Sequence, residues 1–170
     1  MYLGSIEHIN WAENFNKLRK ETGYEYPAYL LHESCNWSHY YKQWMFLPRR
    51  TSKEPYDEGI YSLNTFLNRF FTVMFLVLDE ERGGNLLIRA NADFSVITST
   101  PIGELRPTRG FSAFRFIPGF NDKYIVALKT AENPETKKMK SYLSVFTVEG
   151  TVLLDDMVIG DDKYEGIDFL

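Results

Sequence analysis

The sequence predicts an all-β chain with a single helix near its start, and three observations lead to that fold class. From Asn85 onward, short runs of strand-forming residues follow one another, separated by turn residues, with no helical periodicity. Only one stretch, Asn10 to Gly23, spaces its apolar residues as a helix does. Finally, one six-residue pattern comes three times. In Phe111-Ser112-Ala113-Phe114-Arg115-Phe116 the order is ring, oxygen-bearing residue, small residue, apolar, charged, aromatic. Tyr164-Glu165-Gly166-Ile167-Asp168-Phe169 repeats it position by position, and His32-Glu33-Ser34-Cys35-Asn36-Trp37 is a fainter copy.

The spacing of the copies bears on architecture. Ser112 and Glu165 are 53 residues apart. Glu33 and Ser112 are 79 apart, or 59 once the unusual 20-residue run 59–78 is set aside. Periods of roughly 40 to 50 residues, each with several short strands, are what propeller blades show. Three ordinary strands with alternating faces fit the same pattern.

The helix is justified by its ends. Asn10 can cap it, with Glu13 as capping-box partner, while Trp11, Phe15 and Leu18 share a face and Gly23 supplies the stop. A strand is expected from Ala28 to Glu33, and another from Gln43 to Leu47 that Pro48 ends. Further strands are expected at Leu86–Ile88, Phe94–Thr98, Phe111–Phe116, Tyr124–Leu128 and Tyr142–Thr147. In the third of these, strict alternation puts Ser112, Phe114 and Phe116 on one face and Phe111, Ala113 and Arg115 on the other. Glu149-Gly150 then turns the chain into Thr151–Leu154, which reads as a hairpin, and Asn121-Asp122 marks another turn.

The run 59–78 stands apart. It is far more apolar than its surroundings and is flanked by Asp57-Glu58 and Asp79-Glu80-Glu81. A membrane-spanning helix needs about 20 mainly apolar residues. Asn64, Asn68 and Arg69 interrupt this one, so a membrane partner is not expected. A buried core segment is the other reading from composition alone.

Composition narrows the classes further. A chain of 170 residues can enclose one core. The net charge is -4, and basic residues cluster only in pairs such as Lys137-Lys138, which argues against nucleic acid as a partner. Cys35 is the only cysteine, so neither an internal disulfide nor a cysteine-built zinc site can form. The opening Met1-Tyr2-Leu3-Gly4-Ser5 shows no basic and then apolar region, so no signal peptide is expected in this chain.

The string Tyr29-Leu30-Leu31-His32-Glu33-Ser34-Cys35-Asn36-Trp37-Ser38, followed by Trp44-Met45-Phe46-Leu47-Pro48-Arg49-Arg50, resembles the calcium-activated nucleotidases of the apyrase family. Asn10-Trp11, Arg82-Gly83-Gly84-Asn85, Pro107-Thr108-Arg109-Gly110-Phe111-Ser112, Ile125-Val126-Ala127-Leu128-Lys129 and Lys163-Tyr164-Glu165-Gly166-Ile167 follow in family order. The likeness covers nearly all of the chain outside 59–78.

The resemblance implies a five-bladed β-propeller around a central calcium, with this chain as a partial propeller of about three blades. It implies calcium-dependent hydrolysis of nucleoside di- and triphosphates, of the UDP, GDP and ATP/ADP class, in the secretory route or outside the cell, with a homodimer as an allowed assembly. The three repeat positions, Glu33, Ser112 and Glu165, fall on the family's calcium ligands. The physical case agrees, since calcium takes six to eight oxygens and one ligand per blade would let distant residues meet on an axis. Without the family, a solvated polar strand end is the favoured reading of each. The resemblance also favours Arg49 as a functional arginine near the substrate, because a planar guanidinium can bind two phosphate oxygens. A surface arginine pair is the plain alternative. The sequon Asn36-Trp37-Ser38 beside Glu33 is expected to be buried rather than glycosylated.

Two departures accompany the likeness. The chain matches only the later half of the family's catalytic domain, which leaves the general base unnamed and suggests weak or no activity by itself. The family also passes almost directly from the equivalent of Glu58 to that of Asp79, so 59–78 resembles a translated intron. The non-catalytic alternative is a β-fragment that pairs with another subunit, and a further class is a membrane-associated β-protein anchored by 59–78.

Overall fold

A computed structural model describes residues 9–55, 81–133 and 136–170. The apolar run 59–78 lies outside the described residues. The order is one helix, α1 (Ala12–Glu21), then eight strands: β1 (Tyr29–Ser38), β2 (Gln43–Ser52), β3 (Leu86–Asn91), β4 (Ile97–Pro101), β5 (Gly110–Phe116), β6 (Tyr124–Glu132), β7 (Met139–Thr147) and β8 (Val152–Gly160). They form two four-stranded antiparallel meanders, β1-β2-β3-β4 and β5-β6-β7-β8. The all-β class is as expected. Two such sheets are present among the described residues where about three were expected, and neither is closed on itself.

The helix begins where the sequence places it. Asn10 Oδ1 accepts a hydrogen bond from the Ala12 amide at 2.9 Å, although Asn10 stands one residue before the N-cap position, which Trp11 occupies. Gly23 ends the helix at φ +74°, a conformation that glycine adopts without a Cβ penalty. Leu18 is fully buried, and Trp11 and Phe15 pack with it against Phe46, Ile88, Ala90 and Phe94 on one face of the first sheet. Trp11 meets Trp44 edge-on at 5.0 Å between ring centres and Phe94 at 5.5 Å.

The opposite face of that sheet meets the second sheet. Met45, Leu47, Leu87 and Ile102 pack there against Phe111, Phe114, Ile125, Ala127, Phe146 and Val148. Strand β2 is thus covered on both sides, which explains the unbroken apolar run Trp44-Met45-Phe46-Leu47. Burying each large side chain contributes roughly 1.5–3 kcal/mol, so this seam joins the sheets firmly.

Several strand boundaries differ from expectation. β1 and β2 extend to Ser38 and Ser52, and Pro48 lies inside β2 rather than ending it. The pairing is irregular at that point, with His32 opposite Pro48, and a proline is tolerated where the ladder is already broken. β4 begins at Ile97, because Phe94 takes a left-handed turn at φ +58°. In β5 the expected alternation fails. Phe111 pairs with Lys129 and Ala113 with Leu128, so Ser112 is passed over as a bulge. The bulge returns Phe111 and Phe114 to the same face, where both are fully buried. The third pattern copy, Tyr164–Phe169, forms no strand and follows β8 as extended chain.

Candidate metal and phosphate site

The three copies of the six-residue pattern lie side by side. Asn36 Nδ2 in the first donates to the Phe114 carbonyl of the second at 2.8 Å. Ser112 Oγ in the second donates to the Tyr164 carbonyl of the third at 3.0 Å. Arg115 Nε and Asp168 Oδ1 approach to 3.5 Å. The last copy is held without a ladder of its own: Ser141 Oγ donates to the Asp162 carbonyl at 2.6 Å and accepts from the Tyr164 amide at 3.0 Å. Because Asn36 Nδ2 is engaged and Ser38 is fully buried, the sequon is built into the sheet, as expected.

Between the copies is an open cavity of about 160 Å³, lined by Glu33, Ser112 and Glu165 among others. All three predicted positions therefore share one cavity. Ser112 is buried, while the Glu33 and Glu165 side chains are 37% and 70% exposed. Two carboxylates, a hydroxyl and nearby backbone carbonyls are hard oxygen donors, which suits calcium or magnesium rather than a soft metal. The fit is right in kind and short in number. Among the described residues no group of three or more His, Cys, Asp or Glu is placed to hold a metal, whereas calcium takes roughly six to eight oxygens.

Each carboxylate already has a cation. Lys163 Nζ lies 2.7 Å from Glu165 Oε1, and this hydrogen bond is the main reason the Glu165 carboxyl sits below its usual range. The field of Arg49 acts in the same direction more weakly. Arg49 Nη1 lies 3.0 Å from Glu33 Oε2 and also donates to Thr130 Oγ1 at 2.8 Å. With its side chain 6% exposed, Arg49 is no surface arginine.

The glycines around Arg49 make that burial feasible. A Cβ at Gly110 would lie 2.6 Å from the Arg49 carbonyl oxygen and 2.7 Å from its Cγ, so any side chain there collides with the arginine. At Gly83 a Cβ would come 2.3 Å from the Arg109 carbonyl oxygen, and Gly83 bridges to Arg50. The Gly83-Gly84 and Arg109-Gly110 pairs are thus backbone-to-backbone contacts beside β2.

Sequence reasoning missed two features. Thr130, on β6, is the second partner of Arg49. Asp156, on β8 with its side chain 1% exposed, gathers three cations: Lys129 Nζ at 3.0 Å, Arg109 Nη1 at 3.1 Å and Arg106 Nη1 at 3.3 Å. Arg106 also grips Asp155 with two bonds of 2.9 and 2.7 Å, and Arg109 stacks over Tyr142. This cluster fixes the segment between β4 and β5. Its members lie far apart in sequence, so no local pattern marks it.

The family model described as Apyrase matches residues 1–65 and 76–170. Soluble calcium-activated nucleotidase 1 of Rattus norvegicus is 42% identical over 167 residues, covering 98% of this chain and 36% of the relative. Apyrase apy-1 of Caenorhabditis elegans is 37% identical over 168 residues, covering 98% and 42%. The protein named Apyrase of Cimex lectularius is 36% identical over 168 residues, covering 98% and 41%. The chain thus spans about two fifths of the length of these curated relatives.

Proposed function

Because the chain belongs to the apyrase family, we propose that it forms part of a calcium-dependent hydrolase of nucleoside di- and triphosphates. In this reading Glu33, Ser112 and Glu165 contribute to the calcium site, and Arg49 serves the substrate phosphate. The names of the relatives support nucleotide phosphate hydrolysis as the reaction class. Each four-stranded sheet is read as one propeller blade, with further blades supplied by sequence that the relatives have beyond the matched segment. The family likeness also makes the secretory route or the cell exterior the proposed location.

The observation that carries the proposal is the meeting of three pattern positions at one cavity beside a buried arginine. When bound, calcium supplies charge neutralisation and a Lewis acid for phosphate oxygens. Glu33 and Glu165 offer it carboxylate oxygens. Ser112, held by its bond to the Tyr164 carbonyl, keeps the third copy against the second and presents a further oxygen. Arg49 offers a guanidinium to the equatorial oxygens of the phosphoryl group being transferred, where negative charge is spread.

The test is a chimaera in which this chain, without 59–78, replaces the matched segment of the rat relative. Phosphate release from UDP, GDP and ATP is measured in calcium and in EGTA. Calcium-dependent release that falls in Glu33→Gln and Glu165→Gln is expected. A folded chimaera that releases no phosphate would overturn the proposal.

A further inference from the structure

The Glu33–Arg49 pair raises a question about occupancy, since Glu33 cannot give the same oxygen in full to a guanidinium and to a dication. Arg49 is nearly buried, and a buried guanidinium without a carboxylate partner is costly. Its two contacts, to Glu33 Oε2 and Thr130 Oγ1, both run through Nη1. They account for the two hydrogens of that nitrogen. The other three N–H groups of the fork are used by neither contact. Thr130 sits on the second sheet, so it can keep the guanidinium in place when Glu33 is drawn away.

We infer that Arg49 is the resident counter-cation of the cavity, holding Glu33 until a divalent cation takes that carboxylate and thereby releases the arginine toward phosphate oxygens. The inference rests on the calcium reading above and adds regulation to it. Calcium and the Glu33–Arg49 bond compete for one carboxylate. Coupling of this kind is reciprocal: if calcium loosens Arg49, Arg49 must weaken calcium. The arrangement links metal binding to the readiness of the phosphate-binding group, so that the arginine is offered only when the cation is present. Thr130 supplies the fixed point about which the exchange occurs.

The reciprocity gives a test that needs no turnover. Calcium is titrated calorimetrically into the chimaera that carries this chain without 59–78, as wild type, Arg49→Gln, Arg49→Lys and Glu33→Gln. Arg49→Gln removes the competing charge and should bind calcium on the order of tenfold more tightly. Arg49→Lys keeps the charge and should stay near wild type, which separates charge from packing. Glu33→Gln should bind more weakly. Equal or weaker binding by Arg49→Gln, with Glu33→Gln still impaired, would overturn this inference and leave the calcium site standing. No binding by wild type would remove the calcium site and the inference together.

Should Arg49→Gln fail to fold, the wild-type chimaera decides by nitrogen NMR of the Arg49 side chain. Calcium should speed exchange of its Nε–H and shift its resonance as the Glu33 bond opens. An Arg49 signal unmoved by calcium that demonstrably binds would overturn the inference.

Discussion

Glu33 and Arg49 are the two residues that the β1–β2 pairing passes over, and they are bonded to each other at 3.0 Å. Leu31 pairs with Arg50, His32 with Pro48 and Ser34 with Leu47. One residue is skipped on each strand, so the two slips cancel and the original register resumes. Pro48 suits this place because it has no N–H to give to a ladder. In β5 the corresponding pattern position, Ser112, is likewise skipped. The repeat noticed in the sequence therefore has a physical counterpart in a repeated break of the pairing, and such breaks re-aim side chains.

The first prediction follows from the geometry of Arg49. In the chimaera, Arg49→Lys keeps a charge but loses the planar fork with which a guanidinium can take two phosphate oxygens. Turnover should fall by on the order of ten- to a hundredfold with little change in melting temperature. Steady-state kinetics beside thermal melts checks this, and unchanged turnover would make Arg49 structural only.

The Asp156 cluster predicts a stability effect. Asp156→Asn keeps the shape but leaves Lys129, whose side chain is 8% exposed, without its carboxylate. Breaking a buried ion pair in this way costs roughly 3–5 kcal/mol. Arg106 keeps its bonds to Asp155, so the lower end of that range is expected. Urea unfolding of the two proteins gives the difference, and a loss below about 1 kcal/mol would show that Lys129 finds another partner.

These two cases show why some of the site was legible in the sequence and some was not. Glu33, Ser112 and Glu165 stand out because the pattern around them is local and repeats. The α1 boundaries and the β7–β8 hairpin also follow from local chemistry, Asn10 and Gly23 in one case and Glu149-Gly150 in the other, with Gly150 at φ +90°. The skipped residues have no such signal, because a register slip depends on the facing strand. Pro48 consequently reads as a stop, and β5 reads as alternating. Thr130, Lys129 and Asp156 acquire their roles only when β6 and β8 bring them to partners distant in sequence.

His32 predicts a pH dependence. Its two ring nitrogens are buried without hydrogen bonds, and the ring stacks on Phe15 at 5.4 Å. Burial disfavours the imidazolium and lowers the pKa from 6.5 to about 4. The unfolded chain therefore binds a proton at higher pH than the folded one. The stabilising effect of a neutral His32 is full above pH 6.5 and is lost as pH falls toward 4, at most about 3 kcal/mol. His32→Phe keeps a ring and removes the titration. Melting curves at stepped pH should show wild type losing more stability than the variant in that window, and parallel losses would contradict the burial argument.

The run 59–78 carries a prediction at the level of the message. Residues 66–75 within it fall outside the ranges that match the family model. If the run is intron-derived, mature transcripts should join codon 58 to codon 79. Sequencing reads across that junction decide the matter, and uniform retention of the run would mark it as a genuine part of the protein.

The last prediction concerns the 170-residue chain expressed by itself. It offers the proposed cation two carboxylates, Glu33 and Glu165, so water would have to fill most of the coordination and affinity would be low. It also ends its second sheet in β8, where Leu153, Met157 and Val158 are 56%, 47% and 53% exposed. An apolar edge strand with unpaired backbone groups invites association with other chains. The chain alone should therefore aggregate at micromolar concentration and release no phosphate from UDP, GDP or ATP in calcium beyond the EGTA control. Embedded in the chimaera without 59–78, the same residues should gain neighbours against β8 and further oxygens at the cavity, and both defects should lessen together. Light scattering and phosphate release on the two proteins side by side check this. Calcium-dependent turnover by the short chain would show that two carboxylates and water suffice, and would shift the burden of catalysis onto Arg49 and its neighbours.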